Sequence, residues 1–259
     1  MAEDLSTNQT KIIWHRCNSS AKIINAIADP YAAGAEFDVV GTSDNVPMLF
    51  HDKFITKELA GSELGYLIRP IEVSELSFAE LRKIRPDIES LSEAFEKINT
   101  ENFSETFEFH LEIKPNNIPL ADAIVRLLAE FPKINRQTIP RSFQQDVIIH
   151  IRKSYIRDIC LLLGRSYSFV DPVTCFNTKN TKTSLKKLPE NIRAIEEICN
   201  GIRPKYISVY YTMLTQGFIN AVKTAGVEVD VYTLNKLAFL KGLKVDRIIT
   251  DFPKKLCCQ

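Results

Sequence analysis

Residues 107–114, "FEFHLEIK", alternate along their whole length. In an extended chain Phe107, Phe109, Leu111 and Ile113 fall on one face, and Glu108, His110, Glu112 and Lys114 on the other. In a closed barrel the apolar face packs under the surrounding helices and the charged face points into the lumen. A buried row of charges is expensive unless the charges pair or hold a metal ion.

Working outward from this strand, the chain alternates strand-like and helix-like segments almost throughout. The other strand candidates are residues 11–15 (KIIWH), 35–40 (AEFDVV), 46–50 (VPMLF), 137–143 (QTIPRSF), 158–164 (DICLLLG), 206–211 (YISVYY), 227–234 (VEVDVYTL) and 246–252 (DRIITDF). Helical patterns occupy 21–34, 77–84, 91–98, 120–131, 145–157, 189–201, 214–226 and 234–243, several closed by Gly or Pro, as at Gly34, Gly201 and Gly226. Regular alternation of this kind indicates parallel βαβ units. About eight units in 259 residues fit a single-domain (β/α)8 TIM barrel over 11–253, with tails at 1–10 and 254–259. Nine strand candidates are one too many, so 35–40 or 46–50 is an accessory strand. The competing fold, a doubly wound open sheet, lacks the Gly-rich phosphate loop after a strand that it often carries.

Composition narrows the class further. Apolar residues make up 45% and charged residues 25%, and the formal net charge is +1, which gives no global signal for nucleic acid or an anionic membrane. The opening "MAEDLSTNQT" lacks the pattern of a signal peptide, and no apolar run approaches the ~18 residues of a transmembrane helix. Cys17, Cys160, Cys175, Cys199, Cys257 and Cys258 show no metal-ligand spacing. They read as reduced thiols of a cytoplasmic protein, and the final "CCQ" as a frayed end.

The acidic strands carry the chemistry. Glu36 and Asp38 share one face of their strand, and Glu112 and Lys114 share the charged face of theirs. In TIM barrels function collects at the C-terminal strand ends. Converging carboxylates there suit a hard divalent cation, Mg²⁺ or Ca²⁺, which prefers oxygen ligands. His15 and His51 each end an apolar strand and are candidates for general acid and base. Arg16 and Lys114 are cations for an anionic substrate. Together they describe a phosphoryl-transfer site acting on a small-molecule phosphoryl substrate.

The order "HR … EFD … HD … EIK" resembles the glycerophosphodiester phosphodiesterase family. "IESLSEAFEKI", "RSF", "VEVDVYTLN" and "VDRIITDFP" extend the resemblance over residues 11–253. It implies that Glu36, Asp38 and Glu112 are metal ligands, that His15 and His51 are the acid/base pair, and that Arg16 and Lys114 hold phosphate. Tyr232 stands where the family has Trp, as a wall of the substrate pocket or a packed aromatic. Asn235 meets a polar substrate group or holds a turn. Asp52 anchors the loop after His51, and His110 is a hydrogen-bonded lumen residue or a support for the ligands. Two departures stand out. Cys17, read as a small filler, replaces the family's Gly, and the loop "CNSS" is short, which is similar to sphingomyelinase D-like phospholipases. The resemblance implies hydrolysis of glycerophosphodiesters to a phosphomonoester and an alcohol. Transfer to another hydroxyl, with a cyclic or joined product, is the second reading, and a non-catalytic phosphate-binding barrel the third.

Overall fold

The computed structural model describes residues 10–55, 70–114, 118–155, 157–164, 192–199 and 202–258. The tail at 1–9, Cys175 and the helix end expected at Gly201 lie outside them. Eight parallel strands close into a barrel: β1 (Lys11–Trp14), β2 (Gly34–Gly41), β3 (Glu108–Ile113), β4 (Thr138–Ser142), β5 (Cys160–Leu163), β6 (Tyr206–Tyr210), β7 (Glu228–Tyr232) and β8 (Arg247–Thr250). Each pairs with its neighbours in sequence, and β1 joins both β8 and β2 to complete the ring. The extra strand candidate is the accessory one: Pro47–Leu49 runs antiparallel along β2, with Val39 opposite Leu49. A second antiparallel pair, Phe54–Ile55 with Ile71–Glu72, was not anticipated.

The outer ring contains α1 (Ser20–Ala28), α2 (Leu91–Asn99), α3 (Ile118–Glu130), α4 (Gln145–Ser154), α5 (Ile192–Cys199), α6 (Gln216–Thr224) and α7 (Pro253–Cys257). Local chemistry sets the ends. Ser19 caps α1, and Ser90 with Glu93 forms a reciprocal capping box on α2. Gly226, at φ +73°, lets Val227 N–H reach back to Val222 O and stops α6 as expected. Two helix expectations and one tail boundary need correction. Gly34 does not close α1, which ends at Ala28; Pro30 disfavours helical geometry at Asp29. The pattern at 234–243 folds only as a one-turn 3₁₀ segment, Leu237–Leu240. Residues 254–259 are not simply a tail, because α7 carries Leu256 into the core.

Gly34 instead opens β2, where its backbone runs close to β3. A Cβ there would lie 2.4 Å from Glu108 O and 2.9 Å from Ile13 Cδ1, so only glycine fits this register.

The buried apolar side chains of the described residues form three clusters, the largest between strands and helices. Phe37, Val39, Phe109, Leu111 and Ile113 face outward and pack with Phe95, Ile98, Ile124 and Leu128 of the helices. The lumen is polar on the β2–β3 side. Near its floor Glu108 accepts two hydrogen bonds from Arg247, at 2.7 and 2.9 Å, and one from Lys11 at 2.6 Å. Above it, buried His110 links Glu108 to Arg141. Because guanidinium only donates, His110 Nδ1 accepts from Arg141 and Nε2–H donates to Glu108. Burial lowers the His110 pKa to about 4, consistent with this neutral form. His110 is therefore a hydrogen-bonded lumen residue.

Asp230 sits in the same interior, faced by Arg247 (Nη1 at 3.7 Å), Arg141, Glu108 and Glu228. Its two carboxylate oxygens and the Ser208 hydroxyl make no hydrogen bond among the described residues. Burial raises Asp230 from 3.8 to about 7 against the pull of the two arginines. The unfolded chain then releases this proton at lower pH than the folded one, so Asp230 erodes stability as pH rises from about 4 to 7. Asp230→Asn is expected to raise Tm above wild type at pH 8, with the gap closing towards pH 4. Thermal melts across that range check it; a constant gap would contradict the sign.

Candidate active site

The site is built at the C-terminal ends of β1, β2 and β3. Register sets Asp38 beside Glu112 and Glu36 beside His110, so the inward carboxylates stack in adjacent rows. One oxygen each of Glu36, Asp38 and Glu112 lies within 4.8 Å of the other two, and all three residues are buried. Burial, and then the charges of Asp38 and Glu112, push Glu36 up to about 8. Lys114 Nζ lies 2.6 Å from both Asp38 Oδ1 and Glu112 Oε1, a tethered cation among the acids. The donor set is all carboxylate, compact and short of positive charge, and it fits a hard divalent cation.

Two histidines flank this cluster. His15 N–H continues the ladder by bonding Thr250 O, and its Nε2 lies 4.0 Å from Glu36 Oε2. Its Nδ1 is 2.7 Å from Asp251 Oδ1. Burial nevertheless lowers the His15 pKa. His51 mirrors the arrangement, with Nδ1 2.9 Å from Asp52 Oδ1 and Nε2 2.8 Å from Arg16 Nη2. Each imidazole thus has a carboxylate behind its Nδ1, while the Nε2 of His15 turns to Glu36 and that of His51 to Arg16.

The tight turn after His15 depends on Arg16, whose φ of 55° is left-handed. That turn aims the Arg16 and Cys17 N–H groups at Glu36, at 2.9 Å to Oε2 and 2.7 Å to the carbonyl O. Cys17 is buried and its thiol pushed up by desolvation, so it behaves as the filler expected rather than a nucleophile.

The structure brings His15, Arg16, Glu36, Asp38, His51, Glu112 and Lys114 into one connected group. Tyr232 and Asn235 stand at the same end with protein partners of their own. The Tyr232 hydroxyl donates to Leu163 O, and its ring meets Phe143 and Tyr210. Asn235 donates to Asp251 Oδ2 at 2.7 Å and accepts from Thr250 Oγ1 and Asp251 N–H. It holds the carboxylate that holds His15.

Sequence reasoning missed three members. Asn18, in the short loop, exchanges two hydrogen bonds with Asp38, at 2.9 and 2.8 Å, and fixes its carboxylate. Asp251 follows β8 directly. Arg141 is fully buried beside Glu112 in register, with Nε and Nη2 unpartnered among the described residues. The signal for Arg141 was the same alternation read in 107–114, since Ile139 and Arg141 share a face of "QTIPRSF".

The whole arrangement can be compared with known proteins. The model of the glycerophosphoryl diester phosphodiesterase family matches residues 15–255. The chain belongs to that family. Glycerophosphodiester phosphodiesterase 1 of Bos taurus is 26% identical over 150 residues, which is 53% of this chain but 42% of the relative. The chain thus matches less than half the length of that curated relative. Two solved structures share the fold over nearly all of both chains. A glycerophosphodiester phosphodiesterase from Parabacteroides distasonis superposes with TM-score 0.71 at 18% identity, covering 98% of this chain and 97% of its own. An Oleispira antarctica phosphodiesterase, in complex with the product sn-glycerol-3-phosphate, gives 0.69 at 17% identity, covering 96% and 95%.

Within this family member, the Asp251–His15 contact is open to test. Asp251→Ala is expected to lower kcat on a phosphodiester roughly 10²-fold by freeing the imidazole, and Asn235→Ala only several-fold. Steady-state kinetics check this, and equal effects would argue against a relay of positioning from Asn235 to His15.

Proposed function

We propose that the protein hydrolyses glycerophosphodiesters to a phosphomonoester, sn-glycerol 3-phosphate, and a free alcohol. The supporting observation is three buried carboxylates converging between two histidines, each backed by its own carboxylate. Glu36, Asp38 and Glu112 would hold a divalent cation, Mg²⁺ or Ca²⁺, which when bound supplies Lewis-acid stabilisation of the phosphoryl oxygens. Arg16 and Lys114 add positive charge where negative charge builds up on those oxygens. One histidine takes a proton from the attacking hydroxyl and the other gives one to the leaving alcohol. Tyr232 lines the substrate pocket in this reading, held there by Leu163, Phe143 and Tyr210. The described cysteines are all free, which supports a reducing, cytoplasmic setting.

The test is glycerophosphocholine hydrolysis with Mg²⁺, Ca²⁺ or Mn²⁺, read by phosphorus NMR. Expected are a phosphomonoester, loss of turnover with chelator, and a 10²–10⁴-fold loss in His15→Ala. Full activity in chelator or in His15→Ala would overturn the mechanism, and a cyclic phosphate product would favour attack by the substrate's own hydroxyl.

A further inference from the structure

Among the described residues the largest fully buried side chain is a charged one, Arg141 of β4. Its Nη1 donates to His110 Nδ1 at 3.0 Å, while Nε and Nη2 have no partner among the described residues. Those two nitrogens lie along one edge of the guanidinium, the fork that grips a pair of acceptors at once.

Asp230 of β7 offers a matching pair of acceptors. It is fully buried, and neither of its oxygens accepts a hydrogen bond among the described residues. Its charge acts on Arg141 more strongly than that of Glu36 or Glu112 does, yet no hydrogen bond joins the two side chains. Strands β5 and β6 stand between β4 and β7 in the wall. Register puts Cys160 beside Arg141 and Ser208 beside Asp230, both small and fully buried. The Ser208 hydroxyl is a third group without a hydrogen bond.

The other side of the lumen is continuously bonded. Arg141 holds His110, His110 holds Glu108 at 3.0 Å, and Glu108 holds Arg247, whose Nη1 lies 3.7 Å from Asp230 Oδ1. Contacts thus run round the interior from Arg141 to Asp230 and are missing between those two. A donor fork, a hydroxyl and a carboxylate left unbonded in the interior each cost free energy. What sits between them must accept from the guanidinium and donate to the carboxylate. A metal cation is opposed by Arg141 and Arg247, and an anion by Asp230 and Glu108. Water is neutral and both accepts and donates.

We propose that bound water links Arg141 to Asp230 in the barrel lumen, with the Ser208 hydroxyl as a further partner. This water closes a hydrogen-bonded ring beneath the carboxylate cluster and holds the Arg141 guanidinium in place below Glu36 and Glu112. It satisfies the Asp230 oxygens without restoring bulk solvation, so the penalty on that charge remains. The proposal concerns water binding and stands whether or not the site hydrolyses glycerophosphodiesters.

The first test is a crystal structure of the full chain at a resolution that shows ordered water. Expected is water within hydrogen-bond distance of both Asp230 and the Nε or Nη2 of Arg141. A direct guanidinium–carboxylate bond, an ion in that place, or no density between the two side chains overturns the proposal. Thermal melts give a readout in solution. Ser208→Val replaces the hydroxyl by methyl groups that reach into the place of the water, and is expected to lower Tm by about 5 °C or more, because both charges lose their solvent. Ser208→Ala leaves room for the water and is expected to melt within about 2 °C of wild type. A valine variant that melts at or above the alanine variant would show that apolar filling is tolerated there, and overturns the proposal. If Ser208→Val does not fold, the crystal structure alone decides.

Discussion

Glu36→Gln is expected to reduce phosphodiester hydrolysis about 10³-fold and, in chelator, to raise the melting temperature of the protein. Both halves follow from one geometry. Glu36 is buried beside Asp38 and Glu112, whose charges together with desolvation push it up to about 8. Without a cation, the cluster is a concentration of like charges that Lys114 and the deeper Arg141 partly relieve. Replacing one carboxylate by an amide removes that repulsion, keeps an oxygen for the Arg16 N–H, and would leave a bound cation with one carboxylate fewer to hold it. Calorimetric titration with Mg²⁺, Ca²⁺ and Mn²⁺, alongside melts in chelator, reads the two halves separately. Wild-type turnover would remove Glu36 from the site. A lower melting temperature in chelator would mean that the charged carboxylate is chiefly a structural acceptor.

Arg247→Met is the variant expected to damage the fold most. Arg247 makes two hydrogen bonds to Glu108 and a third, at 2.6 Å, to Glu228, and its guanidinium lies 3.9 Å from the Tyr206 ring centre. These contacts hold Glu108 well below the usual carboxylate range. Removing the arginine leaves a buried charge supported only by Lys11 and His110, a loss of about 3–5 kcal/mol. For a domain of this size that is a fall in Tm of roughly 10 °C. Adding Glu108→Gln is expected to recover more than half, because the stranded charge disappears with it. Thermal melts of the single and double variants measure this; no recovery would show that arginine packing, not charge, is what was lost.

Much of this was readable in the sequence. The alternation in 107–114 already separated the outward apolar row from the inward charges, and "EFD" placed Glu36 and Asp38 on the same side. His15, His51, Arg16 and Lys114 were found because each falls at or just past a strand end, where barrel chemistry gathers. Interior partners were harder. Arg141 and Asp230 alternate inward by the same rule, but which inward residues meet across a lumen depends on register and strand tilt. Local sequence does not encode those. Asn18 and Asp251 were missed because they act on other site residues and so carry no motif of their own. The pattern at 234–243 looked helical because its apolar spacing is helical, yet the chain there folds as a single 3₁₀ turn before β8.

Gly34 links the fold to the chemistry in another way. Its missing side chain is what allows β2 to approach β3 at a point two residues below Glu36. Any larger residue would wedge the two strands apart just where they must hold Glu36, Asp38 and Glu112 within a few ångströms. An unbiased mutational scan for lost activity is therefore expected to score Gly34 alongside the acids, although it offers no group to bind or react. In homologues that keep this strand pairing, the hydrogen atom at this position should drift as little as the carboxylates it serves.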